Sequence, residues 1–268
     1  SISGNYDDKL YLGGSMSVNF ISYKETGDYS EEDVKNKIND FKYFTIHDNL
    51  TTTGSGFNFK LGLIYRLEDW LRIGGAVHFP TFYAMTDDFN RTMQSYFDDG
   101  SVSDKMKSSG SSIDYNYNTA AQYVGSLAFV IKKDAIISFD YEYINHSQSR
   151  FRSDDYDYVG VNNAIRDSYT GQHIFHGGIE YNLSPVSLRA GYIHYTSPYL
   201  SGINDKWERN TYSFGMGLRD KKINIDASYF INIGKESYYL YSPSILKEPA
   251  NNNYKQGTLT LTVTYKID

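Results

Sequence analysis

The sequence predicts an all-β fold, an antiparallel up-and-down transmembrane β-barrel with about ten strands. Three observations predict it. Apolar and polar residues alternate in these segments, the connections between them are alternately short and long, and no apolar run reaches the roughly 20 residues of a transmembrane helix. The chain also carries 27 tyrosines and 22 glycines but five prolines, a composition typical of outer-membrane barrels.

Mean hydropathy is −0.53, which taken alone is typical of a soluble protein. In a barrel, however, only every second residue of a strand meets lipid, so the average stays polar. The net charge of −6 argues against a nucleic-acid surface. Because the chain has no cysteine, disulfides and thiolate metal sites are excluded. We expect neither a metal nor a cofactor.

The strands are defined by a period of two, because successive side chains of a strand point to opposite faces. In the last strand, Leu259, Leu261 and Val263 alternate with threonines. Segment 123–131 has the weakest pattern, since both of its faces are apolar. The predicted strands are 10–20, 56–66, 71–83, 123–131, 137–143, 175–181, 186–193, 212–219, 223–232 and 257–267.

The connections between these strands alternate in length. Short ones lie near 67–70, 132–134, 182–185 and 220–222. Long polar ones lie near 24–53, 86–116, 146–170, 196–210 and 234–256. Tight turns at one end and long loops at the other describe a barrel with periplasmic turns and extracellular loops. A soluble sandwich has no reason to keep this alternation.

One face of the predicted strands is apolar and the other carries six basic and four acidic residues. Tyrosines near the strand ends of the apolar face are suited to a membrane-interface girdle: Tyr65, Tyr83, Tyr143, Tyr181, Tyr192 and Tyr265. We therefore predict that the apolar face meets outer-membrane lipid and the charged face lines a lumen. The alternative is a soluble lipocalin-like or sandwich fold. The charged residues are Lys60, Arg66, Arg72, Asp140, Glu142, Glu180, Arg189, Arg219, Asp226 and Lys266.

These lumen charges have two interpretations. In the first, they form salt bridges with one another, which pairs the charges of the interior and makes it rigid. In the second, they provide a substrate path or a docking surface for a plug. Arg66, Arg72, Arg189 and Arg219 are the best docking candidates, because they lie near the short turns.

Three stretches resemble the FadL/TodX outer-membrane transport family in the form found in Bacteroidetes: GSGFNFKLGLIYRLEDWLRIGGAVHFPTFYAM (54–85), VGSLAFVIKKDAIISFDYEYINHSQSRF (124–151) and SLRAGYIHYTSPY (187–199). The resemblance implies passive uptake of hydrophobic small molecules, such as long-chain fatty acids or aromatic hydrocarbons. It also implies roughly fourteen strands and an N-terminal hatch in the lumen. Because this chain offers about ten strands, the hatch and about the first four strands are expected to be missing.

The resemblance further implies an apolar pocket high in the lumen. The apolar residues expected to face inward in the upper strand halves are Phe82, Ile193, Tyr195 and Phe230. An apolar side chain on a polar face is costly unless it is covered. A ligand or a folded-in loop would cover it. The resemblance allows two routes of solute release, through a lateral opening in the barrel wall or past the hatch.

The loop 31–43 places Val34, Ile38 and Phe41 on one face of a possible short helix. In the resembling family an extracellular loop helix helps to capture substrate. A loop that packs on the barrel rim would show the same pattern.

Enzymatic readings are weak, and no activity is expected. Asn145, His146 and Ser147 have the residue types of an outer-membrane phospholipase, but consecutive strand residues point to opposite faces. The loop pairs 47–48 and 87–88 have the residue types of an outer-membrane protease, but the sequence shows no complete set of nucleophile, base and orienting group. The acidic stretch 153–158 lacks the ligand spacing of a Ca²⁺ loop. A surface adhesive barrel that acts through its long loops is the other alternative; protein partners are unknown.

Overall fold

The structure is a computed structural model that describes residues 1–132, 134–220, 222–238 and 249–265. In these residues the chain forms one antiparallel sheet of fifteen strands, which confirms the predicted fold class. The strands are β1 (Ile2–Tyr6), β2 (Leu10–Glu32), β3 (Phe41–Glu68), β4 (Leu71–His78), β5 (Phe82–Phe97), β6 (Met106–Lys107), β7 (Ser111–Asn118), β8 (Gln122–Ile131), β9 (Ala135–Asn145), β10 (Arg150–Arg152), β11 (Gly171–Leu183), β12 (Val186–Tyr195), β13 (Glu208–Arg219), β14 (Ile223–Tyr238) and β15 (Ala250–Tyr265).

We call one passage of the chain along the barrel wall a span. Three of the spans are interrupted and consist of two strands each. β4 and β5 pair with the lower and upper parts of β3, β8 and β7 form the next span, and β9 is continued by β10. Counted in this way, the described residues contain eleven spans, namely the ten predicted ones and β1. β1 lies at one edge of the sheet and β15 at the other, and the two edges do not pair in the described residues.

The turns at one end of the sheet are short, as predicted, but the long connections contain far more strand than expected. β2 continues to Glu32 and β3 begins at Phe41, so the predicted loop 24–53 shrinks to eight residues. The predicted helix in 31–43 is wrong. This segment is a hairpin tip, in which Asp33 Oδ2 accepts a hydrogen bond from the Ile38 amide at 2.5 Å. Residues 239–248 of the predicted loop 234–256, and Lys266, lie outside the described residues.

A helix occurs elsewhere, in the connection 146–170. α1 (Val159–Ser168) has ten residues and follows a short 3₁₀ helix (His146–Gln148). No helix in the described part of the chain is long and apolar enough to cross a membrane.

As the sequence predicts, apolar side chains are exposed on one face of the sheet and polar side chains are buried on the other. Leu61 and Phe214 on the apolar face are 46% and 57% exposed, whereas Asn58 and Ser187 on the polar face are 5% and 3% exposed. Side chains on a concave face shield one another, so the polar face is the concave one. We call it the inner face and the apolar one the outer face. Because directly paired residues point to the same face, the register assigns each side chain to one of them.

Tyrosine and glycine are abundant partly because tyrosine rings lie over glycines of a neighbouring strand. Such cross-strand covering is a known means of stabilising strand glycines. The covered glycines and their tyrosines are Gly56 with Tyr83, Gly171 with Tyr143, Gly234 with Tyr254, and Gly257 with Tyr229.

Gly56→Ala is expected to lower the free energy of unfolding by about 1–3 kcal/mol, the usual cost of overpacking. A methyl group there would overlap the Tyr83 ring and reach within 3.0 Å of its Cγ, so the ring must leave its place. Gly125→Ala is the matched control, because nothing lies within 4 Å of a Cβ at that position. Urea unfolding in lipid vesicles measures both; equal effects would contradict the close approach.

Candidate functional site on the inner face

Four of the predicted lumen charges form one ion-pair network across β11, β12, β13 and β14. Arg189 Nε donates to Glu180 Oε2 at 2.6 Å, and Arg189 Nη1 donates to Asp226 Oδ1 at 2.7 Å. Arg219 donates to both Asp226 oxygens, at 2.8 and 2.7 Å. Because two cations face two carboxylates, this part of the wall neutralises its own charge.

A second polar chain crosses β4, β8, β9 and β11 higher in the lumen. His78 Nδ1 lies 3.0 Å from Gln122 Oε1, and Gln122 Nε2 donates to Glu142. His176 Nε2 lies 3.2 Å from Glu142 Oε1, but this contact lacks the alignment of a hydrogen bond. Glu142 thus belongs to an internal polar network.

The inner face of β2, β3, β4 and β8 borders a cavity of about 730 Å³. Its charged or titratable lining side chains are Tyr11, Lys60, Arg72, His78 and Asp140. The small residues that leave this space open are Gly13, Gly62, Gly74, Ala76, Ser126 and Ala128.

The predicted docking arginines differ in how they are paired. Arg66 pairs with Asp69 of the adjacent turn at 2.7 Å, and Arg189 and Arg219 belong to the network above. Arg72 has no ion pair with a described residue and lines the cavity. Of the four arginines, Arg72 therefore keeps its charge available to an occupant of the lumen.

Three of the four predicted ligand contacts lie on the inner face. Ile193 pairs with Thr211 and Phe230 pairs with Ser213, two inner-face residues. Tyr195 lies two residues beyond Ile193 and so points the same way. Their contact with a ligand stays a prediction.

Phe82 lies on the outer face, so its expected inward direction is wrong. It pairs with Phe57 and is 55% exposed. The cause is a break in the span: β3 needs three steps from Lys60 to Phe57, whereas the neighbouring chain takes four steps from His78 to Phe82. One extra residue reverses the faces of everything that follows. Pro80 was the signal, because proline within a strand marks a bulge or an edge.

The same reversal turns Tyr83 inward, into a cluster that sequence reasoning missed. Its ring lies 6.4 Å from Tyr117, and Tyr117 lies 4.6 Å from Phe151 of β10. Tyr115 lies 5.6 Å from Phe151 and 5.9 Å from Tyr158. We call these five residues the upper aromatic cluster. Tyr83 was expected in the outer girdle; the other five girdle tyrosines lie on the outer face.

The upper aromatic cluster excludes water from part of its surface. Burial raises the pKa of Tyr115 to about 12, and the nearby Asp87 carboxylate adds to the increase. Tyr115 donates from its hydroxyl to Asp87 Oδ1 at 3.3 Å, and Thr52 donates to the same oxygen at 2.6 Å. The Tyr115 hydroxyl is thus paired beneath the rings of the cluster.

Helix α1 holds the β10 part of this cluster in place. Asn162 of α1 accepts from the Phe151 amide at 2.8 Å and donates to the Phe151 carbonyl at 2.9 Å. β10 in turn pairs with β7, which places Phe151 opposite Tyr117. The connection 146–170 thus folds against the wall and contributes an aromatic ring to it.

Comparisons with known proteins agree with this architecture. No family model and no curated protein matches the sequence. Among solved structures, the deltaS2S3 mutant of TodX, a monoaromatic hydrocarbon channel, matches with a TM-score of 0.62 and 14% identity, covering 99% of this chain and 68% of that one. A Pseudomonas aeruginosa FadL homologue matches with a TM-score of 0.59 and 13% identity, covering 98% and 76%.

The chain has the TodX/FadL barrel fold.

The resemblance that stretches 54–85, 124–151 and 187–199 suggested is thereby confirmed at the level of the fold. The eleven described spans of this TodX/FadL fold are joined by alternately short and long connections, the pattern from which the barrel was predicted. The upper aromatic cluster, the described lumen charges and the cavity all lie on the inner face of this fold.

In this TodX/FadL barrel, Asn145 ends β9, and His146 and Ser147 lie in the short 3₁₀ helix rather than in a strand as expected. His146 Nε2 lies 3.0 Å from Gln172 Oε1, while the Ser147 hydroxyl donates to Asn145 Oδ1 at 2.7 Å. Asp48 accepts from Arg91, and the hydrogen bond lowers the pKa of its carboxyl. Within the described ranges, no three His, Asp or Glu side chains are grouped so as to hold a metal ion, at 153–158 or elsewhere.

Proposed function

We propose that this protein is an outer-membrane channel through which hydrophobic small molecules enter by diffusion. Long-chain fatty acids and aromatic hydrocarbons are the proposed classes of solute. The observation that carries the proposal is the upper aromatic cluster, a group of five aromatic rings on an inner face that is otherwise mostly polar. The fold shared with TodX, a monoaromatic hydrocarbon channel, supports it.

In this proposal the solute leaves water at the long-loop end and transfers to the upper aromatic cluster. Burying apolar surface is worth roughly 25 cal/mol per Å², so the rings supply an attractive site without a covalent step or an energy source. Ile193 and Tyr195 of β12 and Phe230 of β14 add apolar side chains to the same inner face. The outer face, with its exposed leucines, isoleucines and phenylalanines, contacts membrane lipid.

We further propose that the chain belongs to a single barrel domain closed by strands next to β1 and β15. Unpaired edge backbone is not tolerated in hydrocarbon. β1 and β15 run in the same direction, so direct pairing would be parallel. An odd number of further strands keeps the barrel antiparallel, and three would give the roughly fourteen that the family resemblance implies.

Phe230→Ala is expected to reduce uptake of radiolabelled toluene or oleate about tenfold at limiting concentration, the loss expected for one buried aromatic contact. Phe82→Ala is the matched control, because it removes the same ring from the outer face and leaves the lumen unchanged. Uptake is measured in cells without other channels of this fold. No uptake above that of cells lacking the protein would refute the function; equal effects of the two variants would refute the role of Phe230.

A further inference from the structure

A groove lies on the outer face, where the apolar part of the wall ends. It has a volume of about 490 Å³ and is bordered by residues of β2, β3, β5, β7 and β10. Phe57 borders it about ten residues from the short turn that follows β3. At the usual rise and tilt of barrel strands this distance is roughly 25 Å, the height of an outer-membrane apolar band. The groove therefore lies at the level of the lipid headgroups, at the end of the wall with the long connections.

The lower border of the groove is apolar. Val18, Phe57 and Phe82 are paired across β2, β3 and β5, and all three side chains are exposed. The next residues on the outer face of β3 and β5 are Ser55 and Ala84, whose small side chains leave the groove open. Because exposed rings are unfavourable in water, this border suits the acyl chain of a lipid.

The opposite border of the groove is polar and cationic. Phe82 pairs with Asn118 of β7, Ala84 pairs with Asn116, and Asn116 pairs with Arg152 of β10. The side chains of Asn116, Asn118 and Arg152 make no hydrogen bond or ion pair with a described residue. The groove thus offers two amides and one guanidinium, all with unused donors, next to apolar rings.

Arg152 is the cation available at this groove. Arg150, two residues earlier on the same face, donates from Nη1 to the carbonyl oxygens of Ser147 and Ser149 at 2.5 and 2.7 Å. Arg152 is exposed and borders the groove. A guanidinium without a carboxylate partner is well suited to a phosphate group, because its parallel N–H groups match two phosphate oxygens.

Carboxylates lie beyond Arg152, on the side away from the membrane. Asp114 is two residues further from the membrane than Asn116 on β7, and it accepts from the Thr86 hydroxyl at 2.6 Å. Asp114, Asp154 and Asp155 border a separate recess, and none of them forms an ion pair with Arg152. Among the described residues that border the groove itself there is no carboxylate. The arrangement therefore suits an anion that is held at the membrane surface.

We propose that this groove binds a phosphorylated glycolipid of the outer leaflet, the lipid A class. Its phosphate contacts Arg152, its sugar hydroxyls contact Asn116 and Asn118, and an acyl chain lies against Phe57 and Phe82. The inference rests on the proposed outer-membrane location and is independent of the transported solute. Rings, amides and guanidinium follow one another around the groove in the same order as acyl chain, sugar and phosphate in such a lipid.

Native mass spectrometry of the full-length protein in detergent tests the site, with lipid A as the probe. Arg152→Gln is expected to weaken lipid A binding about tenfold, because the charge-assisted hydrogen bonds to the phosphate are lost. Lys24→Gln is the matched control, since Lys24 is a cation on the outer face of β2 that does not border the groove. It should change the affinity less than about twofold. Equal losses for the two variants would indicate general charge attraction and would overturn the site.

The phosphate contact is tested with lipid A from which the phosphate has been removed. This lipid should bind the unsubstituted protein about tenfold more weakly, and Arg152→Gln should not weaken its binding further, because both changes remove the same interaction. Inorganic phosphate in excess should not displace lipid A. Additive losses, or displacement by inorganic phosphate, would overturn the assignment of the lipid phosphate to Arg152.

The groove itself is tested by filling it. Ala84→Trp places a ring in the groove without changing its charge, and we expect it to reduce lipid A binding about tenfold, the loss expected when an acyl contact is displaced. Normal binding by this variant would overturn the groove as the lipid site. Phosphatidylglycerol that binds as tightly as lipid A, with the same dependence on Arg152, would overturn the choice of a glycolipid. Because no transport is measured, failure of this inference and failure of the channel function are distinguishable.

Discussion

Leu127→Arg is expected to lower the free energy of unfolding by about 2–4 kcal/mol, the cost of an arginine on the lipid face near the bilayer midplane. Leu127 lies on the outer face of β8, between Ile73 of β4 and Phe139 of β9, and is 45% exposed. It is five residues from the short turn, near the middle of a roughly 25 Å apolar band. Nothing on this face offers the guanidinium a partner among the residues that pair with Leu127.

Ser126→Arg is the matched variant, because Ser126 is adjacent in the chain and points to the opposite face. It lines the inner cavity and lies directly opposite Asp140. An arginine there has space and a carboxylate nearby, so its expected cost is below about 1 kcal/mol. Urea unfolding of the barrel in lipid vesicles gives both values. A larger loss for Ser126→Arg than for Leu127→Arg would mean that the two faces have been assigned the wrong way round.

The direction of most side chains was predictable because a period of two needs no knowledge of the partner strand. Leu61, Leu188 and Phe214 were placed on the apolar row, and all three are on the outer face. The charges of β9, β11, β12 and β14 fell on the other row for the same reason. Wherever a strand was unbroken, the alternation of apolar and polar residues alone thus predicted which side chains face outward and which face inward.

The prediction failed where a strand was broken. The extra residue around Pro80 exchanges the faces of Phe82 and Tyr83, so one predicted lumen residue meets the outside and one predicted girdle tyrosine enters the upper aromatic cluster. A bulge changes the face of every following residue, but its exact site depends on which partner residues pair, and a single sequence does not contain that information.

The upper parts of β2 and β3 lie in the predicted loop 24–53, which was predicted as loop because it is polar. Residues 44–53, FTIHDNLTTT, nevertheless combine β-branched residues with an alternation of Phe44, Ile46 and Leu50. That pattern is weak by comparison with the spans, because Asp48 and Thr52 interrupt the apolar row. The strand propensity of threonine was the available signal.

The lumen charges could be assigned to a face but not to partners. Glu180, Arg189, Asp226 and Arg219 are brought together by the registers of three strand pairs, β11 with β12, β12 with β13, and β13 with β14. Each register had to be right within one residue for the network to form. Which of these charges pair with one another therefore had to be read from the structure.

Arg189→Ala is expected to lower the free energy of unfolding by about 2 kcal/mol, within the range for hydrogen bonds to charged groups. Arg189 bridges Glu180 and Asp226, and its loss leaves Glu180 without this partner while Arg219 still holds Asp226. The full cost of breaking a buried ion pair is larger, but the Arg189 side chain is 33% exposed, so water replaces part of the interaction.

Arg66→Ala is the control for this network, because Arg66 pairs with Asp69, whose side chain is 94% exposed. Its expected effect is within about 0.5 kcal/mol, as for other surface ion pairs. Urea unfolding followed by the fluorescence of the two tryptophans, Trp70 and Trp207, measures both variants. Glu180→Gln combined with Arg189→Ala should cost less than the sum of the single changes, because the second change removes the charge that the first one strands. Additive losses, or equal losses for Arg66→Ala and Arg189→Ala, would show that the network does not hold the wall together.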